Sequence, residues 1–423
     1  MLAIAWALSR LPLYLFCTTR MWNVITQATY DVHLYQSWYV RFLSHGVFPA
    51  ATSWQYPPGA AAVFWLPAQF PGDYLHDFAL LAVCADLVVL IMLIWRACHG
   101  GSLLGAFYWT VGVPLAGPLL AMRFDVYSVA FAVAALCVAR TPAGRGVLAG
   151  VGAMIKIWPA AVLLGLPPGE LRRGATALGA TGAAIAGSFA FFMPGALGFL
   201  AHEGGRGVEV ESVVATPFLI ARHFGWHGVV TLTYGSFQLS GTHVALAGYA
   251  STFCLVLSVI AAAGWRLLIV RGRLRWRPEF QADAPLAATL LFISISRVLS
   301  PQYLLWVTGL AACCLAAGRS TQRPVAVALL VVDVLTTVVY PLGFAPMIAG
   351  SDLMTVTVAV RNGLLLVITL WSCWRLLRAS LAESAKAAMR QDPSIHPSMT
   401  SPAPLAPAAP VGRELTNNVT FKK

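Results

Sequence analysis

The stretch Arg297-Val298-Leu299-Ser300-Pro301-Gln302-Tyr303 sets a cation and polar side chains between two apolar runs, 284–295 and 304–317. An arginine at a bilayer centre costs about 2.5–3.5 kcal/mol even on a lenient insertion scale. This arginine therefore calls for the membrane edge or for an anionic partner. Other chemistry-bearing side chains stand at similar joins: Asp31 beyond the first apolar run, Arg123 and Asp125 in Arg-Phe-Asp, and Lys156 in Lys-Ile-Trp-Pro. Arg206, Glu209 and Glu211 lie in a glycine-rich segment. A carboxylate can remove the proton of an acceptor hydroxyl. Cations can stabilise the charge that grows on a leaving phosphate. The set thus suits an anionic lipid phosphate reacting with a hydroxyl, with Asp31 as base. Arg297 and Lys156 would hold the phosphate, and Gln302 and Tyr303 would add neutral donors.

Several of these residues also have a plainer reading. Asp31 at a helix start would cap the helix and favour its dipole. Arg297 would anchor the end of a span to headgroups. The segment Glu203–Ser212 reads by default as a solvated loop, and Tyr56-Pro-Pro-Gly59 as a rigid turn. His223 and His227, four apart, could hold a metal on a helix, but surface histidines are the simpler account.

The elements that must position these groups follow from composition. The chain has 423 residues, 58% hydrophobic and 10% charged, with a mean hydropathy of +0.73. A soluble domain carries about 25% charged residues, so this is an all-α polytopic membrane protein. Its net charge of +12 needs no nucleic-acid partner, because basic cytoplasmic loops give the same sum. The eight cysteines form no Cys-x-x-Cys pair, and Cys84, Cys137, Cys254 and Cys313-Cys314 lie in apolar runs. They read as buried hydrophobes rather than disulfides or metal ligands. No Asp-x-Asp pair is present to hold a metal for a nucleotide sugar. No phosphate-binding loop of the Gly-x-x-x-x-Gly-Lys type points to an ATP-driven pump.

Basic clusters at Arg140/Arg145, Arg172-Arg173, Arg271–Arg277, Arg319/Arg323 and Arg375–Arg390 are assigned to the cytoplasm. Spans then fall near 1–19, 77–97, 103–121, 125–139, 174–194, 243–270, 284–299, 302–317, 324–342 and 353–377. Residues 1–19 lack a basic leader and a cleavage site, so they read as a retained span. The run 58–70 is too short to cross and reads as interfacial. The run 147–167 has basic flanks on both sides, Lys156 in its middle and Pro159 close behind. It reads as two short helices, up and back, meeting at Lys-Ile-Trp-Pro. About 12 spans result, with both termini inside. The first external segment, 20–57, carries an amphipathic helix over Tyr30–Leu43, and the second external segment is 195–242. A membrane domain over 1–377 is followed by a basic helix end and a disordered Pro/Ala-rich tail, 378–423.

Five motifs in one order, Tyr30-Asp-Val-His-Leu-Tyr-Gln-Ser-Trp38 with the following Tyr-Pro-Pro, Arg-Phe-Asp, Lys-Ile-Trp-Pro, Gly-Arg-Gly-Val-Glu-Val-Glu-Ser and Ser-Pro-Gln-Tyr, resemble glycosyltransferase family 87. The resemblance covers about residues 1–375. It implies the GT-C membrane fold and an inverting transfer of mannose from a polyprenyl phosphate to a lipid or glycan acceptor. It implies the outer face of a bacterial cytoplasmic membrane as the location, with no metal or other cofactor. It matches Asp31 to the family's base and Arg297 with Ser300–Tyr303 to a segment near the lipid phosphate, where a Lys is common in place of Arg297. Tyr56, Arg123, Asp125, Arg206 and Glu211 are then expected to bind sugar or acceptor, although a Gly-Gln pair often stands where this chain has Arg123-Phe124-Asp125. A pentose donor, arabinose, is the alternative within the class. A lipid or solute transporter is the alternative outside it, suggested by Asp86 and Asp333 within apolar runs. Polar groups collected at one face favour the enzyme.

Overall fold

The computed structural model describes residues 1–19, 25–50, 54–202, 206–233 and 235–391. The apolar runs fold into helices: α1 (Leu2–Thr18), α2 (Ile25–Arg41), α3 (Ala60–Trp65), α4 (Tyr74–Cys98), α5 (Leu104–Leu115), α6 (Leu119–Met122) and α7 (Asp125–Val133). They continue with α8 (Pro142–Ile155), α9 (Leu171–Phe192), α10 (Phe199–His202), α11 (Thr216–Ala221), α12 (Val244–Val270), α13 (Phe280–Ile295) and α14 (Tyr303–Ala316). The last are α15 (Arg323–Thr337), α16 (Phe344–Ala349) and α17 (Asp352–Gln391). Among the described residues, five helical stretches are long and apolar enough to cross a membrane, and shorter apolar helices pack with them. The chain is thus a predominantly helical membrane protein. Met1–Ser384 form one compact unit, and α17 runs without a break past residue 377. The tail from 392 lies outside the described residues.

A small three-stranded antiparallel sheet is added to this helical frame. Strands β1 (Val208–Glu209), β2 (Val229–Thr233) and β3 (Ser236–Ser240) have the order β1-β3-β2. All three come from the second polar segment.

The break near Lys156 has a local cause. Pro159 lacks an N–H, and its ring would collide with the carbonyl of Ile155, so α8 cannot continue. Lys156 is extended, at φ −148° and ψ 135°, and a 3₁₀ turn over Trp158–Gly165 follows. The chain then returns to the end where α8 began. Arg145, near the start of α8, pairs with Glu170 at 3.1 Å. Gly146 lets the backbones of α8 and α9 touch, for a Cβ there would sit 2.1 Å from the Gly174 carbonyl oxygen.

Polar side chains inside the bundle tie helices together. Arg10 of α1 meets Asp86 of α4 at 2.9 Å and donates to the carbonyls of Thr110 and Trp109 in α5. Trp6 also donates to Asp86. Asp333 accepts from Thr308 at 3.2 Å. Neither acid lines the cavity described below. They brace helices, which removes the feature that suggested a transport path.

Helix α2 begins six residues before Asp31, so Asp31 sits in its second turn and cannot cap it. Tyr35 and Trp38, on the same helix, are buried. Tyr35 stacks on Phe64 at 4.3 Å and meets Phe124 edge-on at 5.5 Å. This aromatic layer fixes the face of α2 that carries Asp31.

The second polar segment is not a solvated loop. Glu209 and Glu211 are 7% and 2% exposed. Arg361 of α17, also fully buried, donates to the Glu211 carboxylate at 3.2 Å and to its carbonyl at 3.1 Å. Asn362 donates to the carbonyls of Glu211 and Ser212 and to the Thr216 hydroxyl. On the other side, the Glu209 N–H donates to the Arg297 carbonyl at 2.9 Å. The segment is therefore drawn into the helix bundle from both sides.

Candidate active site

A cavity of about 340 Å³ lies where these elements converge. Helix α2 supplies Tyr30 and Asp31, and the turn before α3 supplies Gln55 and Tyr56. Arg123 comes from the turn before α7, Lys156 from the break after α8, and Arg206, Glu209 and Glu211 from the second polar segment. The β2–β3 hairpin adds Leu232 and Phe237, and Ser300–Tyr303 close the wall opposite, with Tyr340 and Phe344 beside them.

Charged groups in and under this cavity are paired. Arg123 reaches Asp31 at 2.6 Å and Tyr340 at 2.8 Å. Lys156 donates to Asp125 at 2.7 Å, and the Trp306 indole donates to the same carboxylate oxygen at 2.6 Å. Four rings surround the Lys156 ammonium: Phe124 at 4.7 Å, Trp306 at 5.2 Å, Tyr303 at 5.4 Å and Tyr56 at 5.6 Å. A desolvated ammonium gains about 2 kcal/mol from such a ring face. The aromatic box therefore holds Lys156 at the cavity wall, while Asp125 holds it from behind. The Ser300 hydroxyl donates to Glu209, at 3.0 and 3.3 Å from its two oxygens.

The buried acids of the second polar segment are unusually basic. Burial pushes the Glu209 carboxyl above its ordinary range, against the pull of Arg206 and the Ser300 hydroxyl. Burial pushes Glu211 up to about 8, and the Arg361 guanidinium opposes that shift without cancelling it.

Most of the residues singled out by sequence converge here: Asp31, Tyr56, Arg123, Lys156, Arg206, Glu211, Gln302 and Tyr303 line one cavity. Two do not. Arg297 is half-buried and is not among the lining residues; its carbonyl supports the segment that carries Glu209. The chain turns at Ser300-Pro301, as the proline requires, but the turn aims Ser300 to Tyr303 rather than Arg297 into the cavity. Asp125 is fully buried behind Lys156 rather than facing the cavity. His223 bonds Asp352 at 2.8 Å and Thr355 at 3.1 Å. Among the described residues no three His, Cys, Asp or Glu side chains are grouped to hold a metal ion.

Sequence reasoning missed Arg361, Tyr340 and the role of Ser300. Arg361 carried a signal: an arginine within an apolar run is by default a functional or bridging residue with a partner to be found. Tyr340 carried none, since nothing local tells that it meets Arg123.

No curated protein and no solved structure matches the chain. The family model for glycosyltransferase family 87 matches residues 54–301. That is more than half of the chain, and it runs from Tyr56 through Arg123, Lys156 and Glu211 to Ser300. The chain therefore belongs to glycosyltransferase family 87 and is a membrane glycosyltransferase.

Proposed function

We propose that the cavity transfers a sugar, mannose, from a polyprenyl phosphate to a hydroxyl of a lipid or glycan acceptor, with inversion, on the GT-C pattern. The reaction takes place at the outer face of a bacterial cytoplasmic membrane, with both chain termini on the cytoplasmic side. The observation that carries this reading is a cavity that presents the Asp31 carboxylate together with Arg123, Lys156 and Arg206. Asp31 takes the proton of the acceptor hydroxyl as its oxygen bonds to the anomeric carbon. The bond from that carbon to the phosphate oxygen breaks on the opposite face, and its electron pair leaves with the phosphate. Lys156 and Arg206 stabilise the charge that develops there, in a site largely screened from water. Arg123, bonded to Asp31 at 2.6 Å, keeps the base in one orientation. Gln302 and Tyr303 add neutral contacts to the phosphate. Glu209, Glu211 and Tyr56 face the sugar and acceptor hydroxyls, where an acceptor oxygen or a ring is worth more than a cation.

The test is incubation of the purified protein with radiolabelled polyprenyl-phosphate mannose, or with polyprenyl-phosphate arabinose, and a membrane lipid extract. Transfer from the mannose donor that disappears in Asp31→Asn supports the reading. Transfer from the arabinose donor alone replaces mannose by a pentose. No transfer from either, by protein shown to be folded, overturns it.

A further inference from the structure

Helix α14 starts at Tyr303 in the candidate active site and ends, about 20 Å away at 1.5 Å per residue, beside a second cavity. This cavity measures about 400 Å³ and opens between the ends of α4, α13 and α14 and the turn after α7. Buried Leu136, Cys137 and Cys313 give it an apolar floor. Arg96 from the last turn of α4, Arg277 from the connection before α13 and Arg319 from the connection after α14 also line it.

Arginines are plentiful at this end, as cytoplasmic loops require, but these three line the cavity and their neighbours do not. Arg271 and Arg273 are exposed. Arg145 is engaged by Glu170, Arg323 by the Gly318 carbonyl and Arg375 by the Thr321 carbonyl. Arg277, at the end of the same basic run, instead turns inward and is half-buried. It pairs with Glu279 at 3.2 Å. Arg96 donates to the carbonyl of His99 at its own helix end. Arg319 makes no hydrogen bond or ion pair among the described residues. Three guanidinium groups over one carboxylate leave the cavity with surplus positive charge. The Trp276 wall is held in place by its bond to the Gly165 carbonyl at 3.0 Å.

We propose that this second cavity binds a phosphate-bearing anion, with Arg96, Arg277 and Arg319 on the phosphate oxygens and its organic part over the apolar floor. Guanidinium groups pair with phosphate through two parallel hydrogen bonds. Basic pockets between membrane helices are sites for anionic headgroups. The same chemistry could come from a phospholipid of the surrounding leaflet or from a soluble organic phosphate.

Native mass spectrometry of the full chain in detergent tests the site. Phosphatidylglycerol, phosphatidic acid and phosphatidylcholine are offered in turn, with glycerol 3-phosphate as competitor. The wild type should retain the two anionic lipids over phosphatidylcholine. Arg277→Gln/Arg319→Gln should weaken that retention at least about tenfold, the least expected when a charge-assisted hydrogen bond is lost. Arg271→Gln/Arg273→Gln, which removes exposed charges of the same sign, should leave it unchanged. If the double variant fails to fold, Arg319→Gln alone carries the comparison. Retention that resists glycerol 3-phosphate identifies a lipid headgroup, and displacement identifies a soluble phosphate; either supports the site. Equal retention in wild type and variant, or an equal loss on removing the exposed pair, overturns it.

Discussion

Arg123 joins Asp31 to Tyr340: one guanidinium nitrogen lies 2.6 Å from the carboxylate and 2.8 Å from the phenol oxygen. The side chain is 5% exposed against 21% for Asp31, so the arginine is the fixed partner and the acid the one that meets a ligand. Asp31→Asn is expected to lower turnover by about 10²–10⁴-fold, the usual weight of a general base, with donor binding nearly unchanged. Arg123→Ala should lower turnover by a smaller factor, and Arg123→Lys should recover part of it. Because both act through one carboxylate, the double variant Asp31→Asn/Arg123→Ala should be no slower than Asp31→Asn. Additive losses would separate Arg123 from the base.

Lys156 and Asp125 make a buried pair at 2.7 Å. Removing one partner of such a pair strands a charge and costs about 3–5 kcal/mol. Asp125→Ala should therefore lower the unfolding midpoint sharply in detergent. Asp125→Asn/Lys156→Met, which removes both charges, should regain much of that stability yet remain inactive. Activity in the double variant would show that Lys156 is only a brace.

Arg206 lines the cavity and Arg297 does not. Arg206→Ala should weaken competition by sugar-free polyprenyl phosphate by about tenfold or more, as expected when a bond to a charged group is lost. Arg297→Gln keeps its backbone carbonyl, the group that supports Glu209, and should change that competition little. The reverse order of effects would return the phosphate to Arg297.

Glu211 has its proton affinity raised from the ordinary 4.5 to about 8 by burial. The folded state then holds a proton that the unfolded state releases between those values. The stability this contributes is full below about pH 4.5 and is lost as pH rises through about 8. Glu211→Gln should flatten that fall in a pH series of unfolding midpoints. A series unchanged by the substitution would exclude Glu211 as its source.

The turn at Lys156 returns the chain to its starting end, where Arg145 meets Glu170. Cysteines introduced at 143 and 170 should label from the same side of the membrane. Labelling from opposite sides would require a single crossing instead.

Much of the frame is set by local sequence. Apolar runs of spanning length become α4, α12 and α17, because a backbone in lipid must satisfy its own hydrogen bonds. Pro159 stops α8 at Ile155 and Pro301 turns the chain before α14, since a missing N–H and a ring clash act within one helical turn. Several of the polar residues that line the cavity were legible in the sequence, because Arg123 and Ser300 to Tyr303 sit where apolar runs end.

Tertiary contact alone decided which of them meet. The segment around Glu209 has glycines and mixed charges, and nothing in it distinguishes a solvated loop from a buried strand. Its burial comes from Arg361 and Asn362 on a helix about 150 residues away, and from the Arg297 carbonyl on the opposite side. The choice of Arg206 over Arg297 as a lining cation, and of Asp125 as the hidden partner of Lys156, likewise depends on side-chain direction. Composition and periodicity locate a charge along the chain, but the energy that sets its role comes from desolvation and from a partner brought close by the fold.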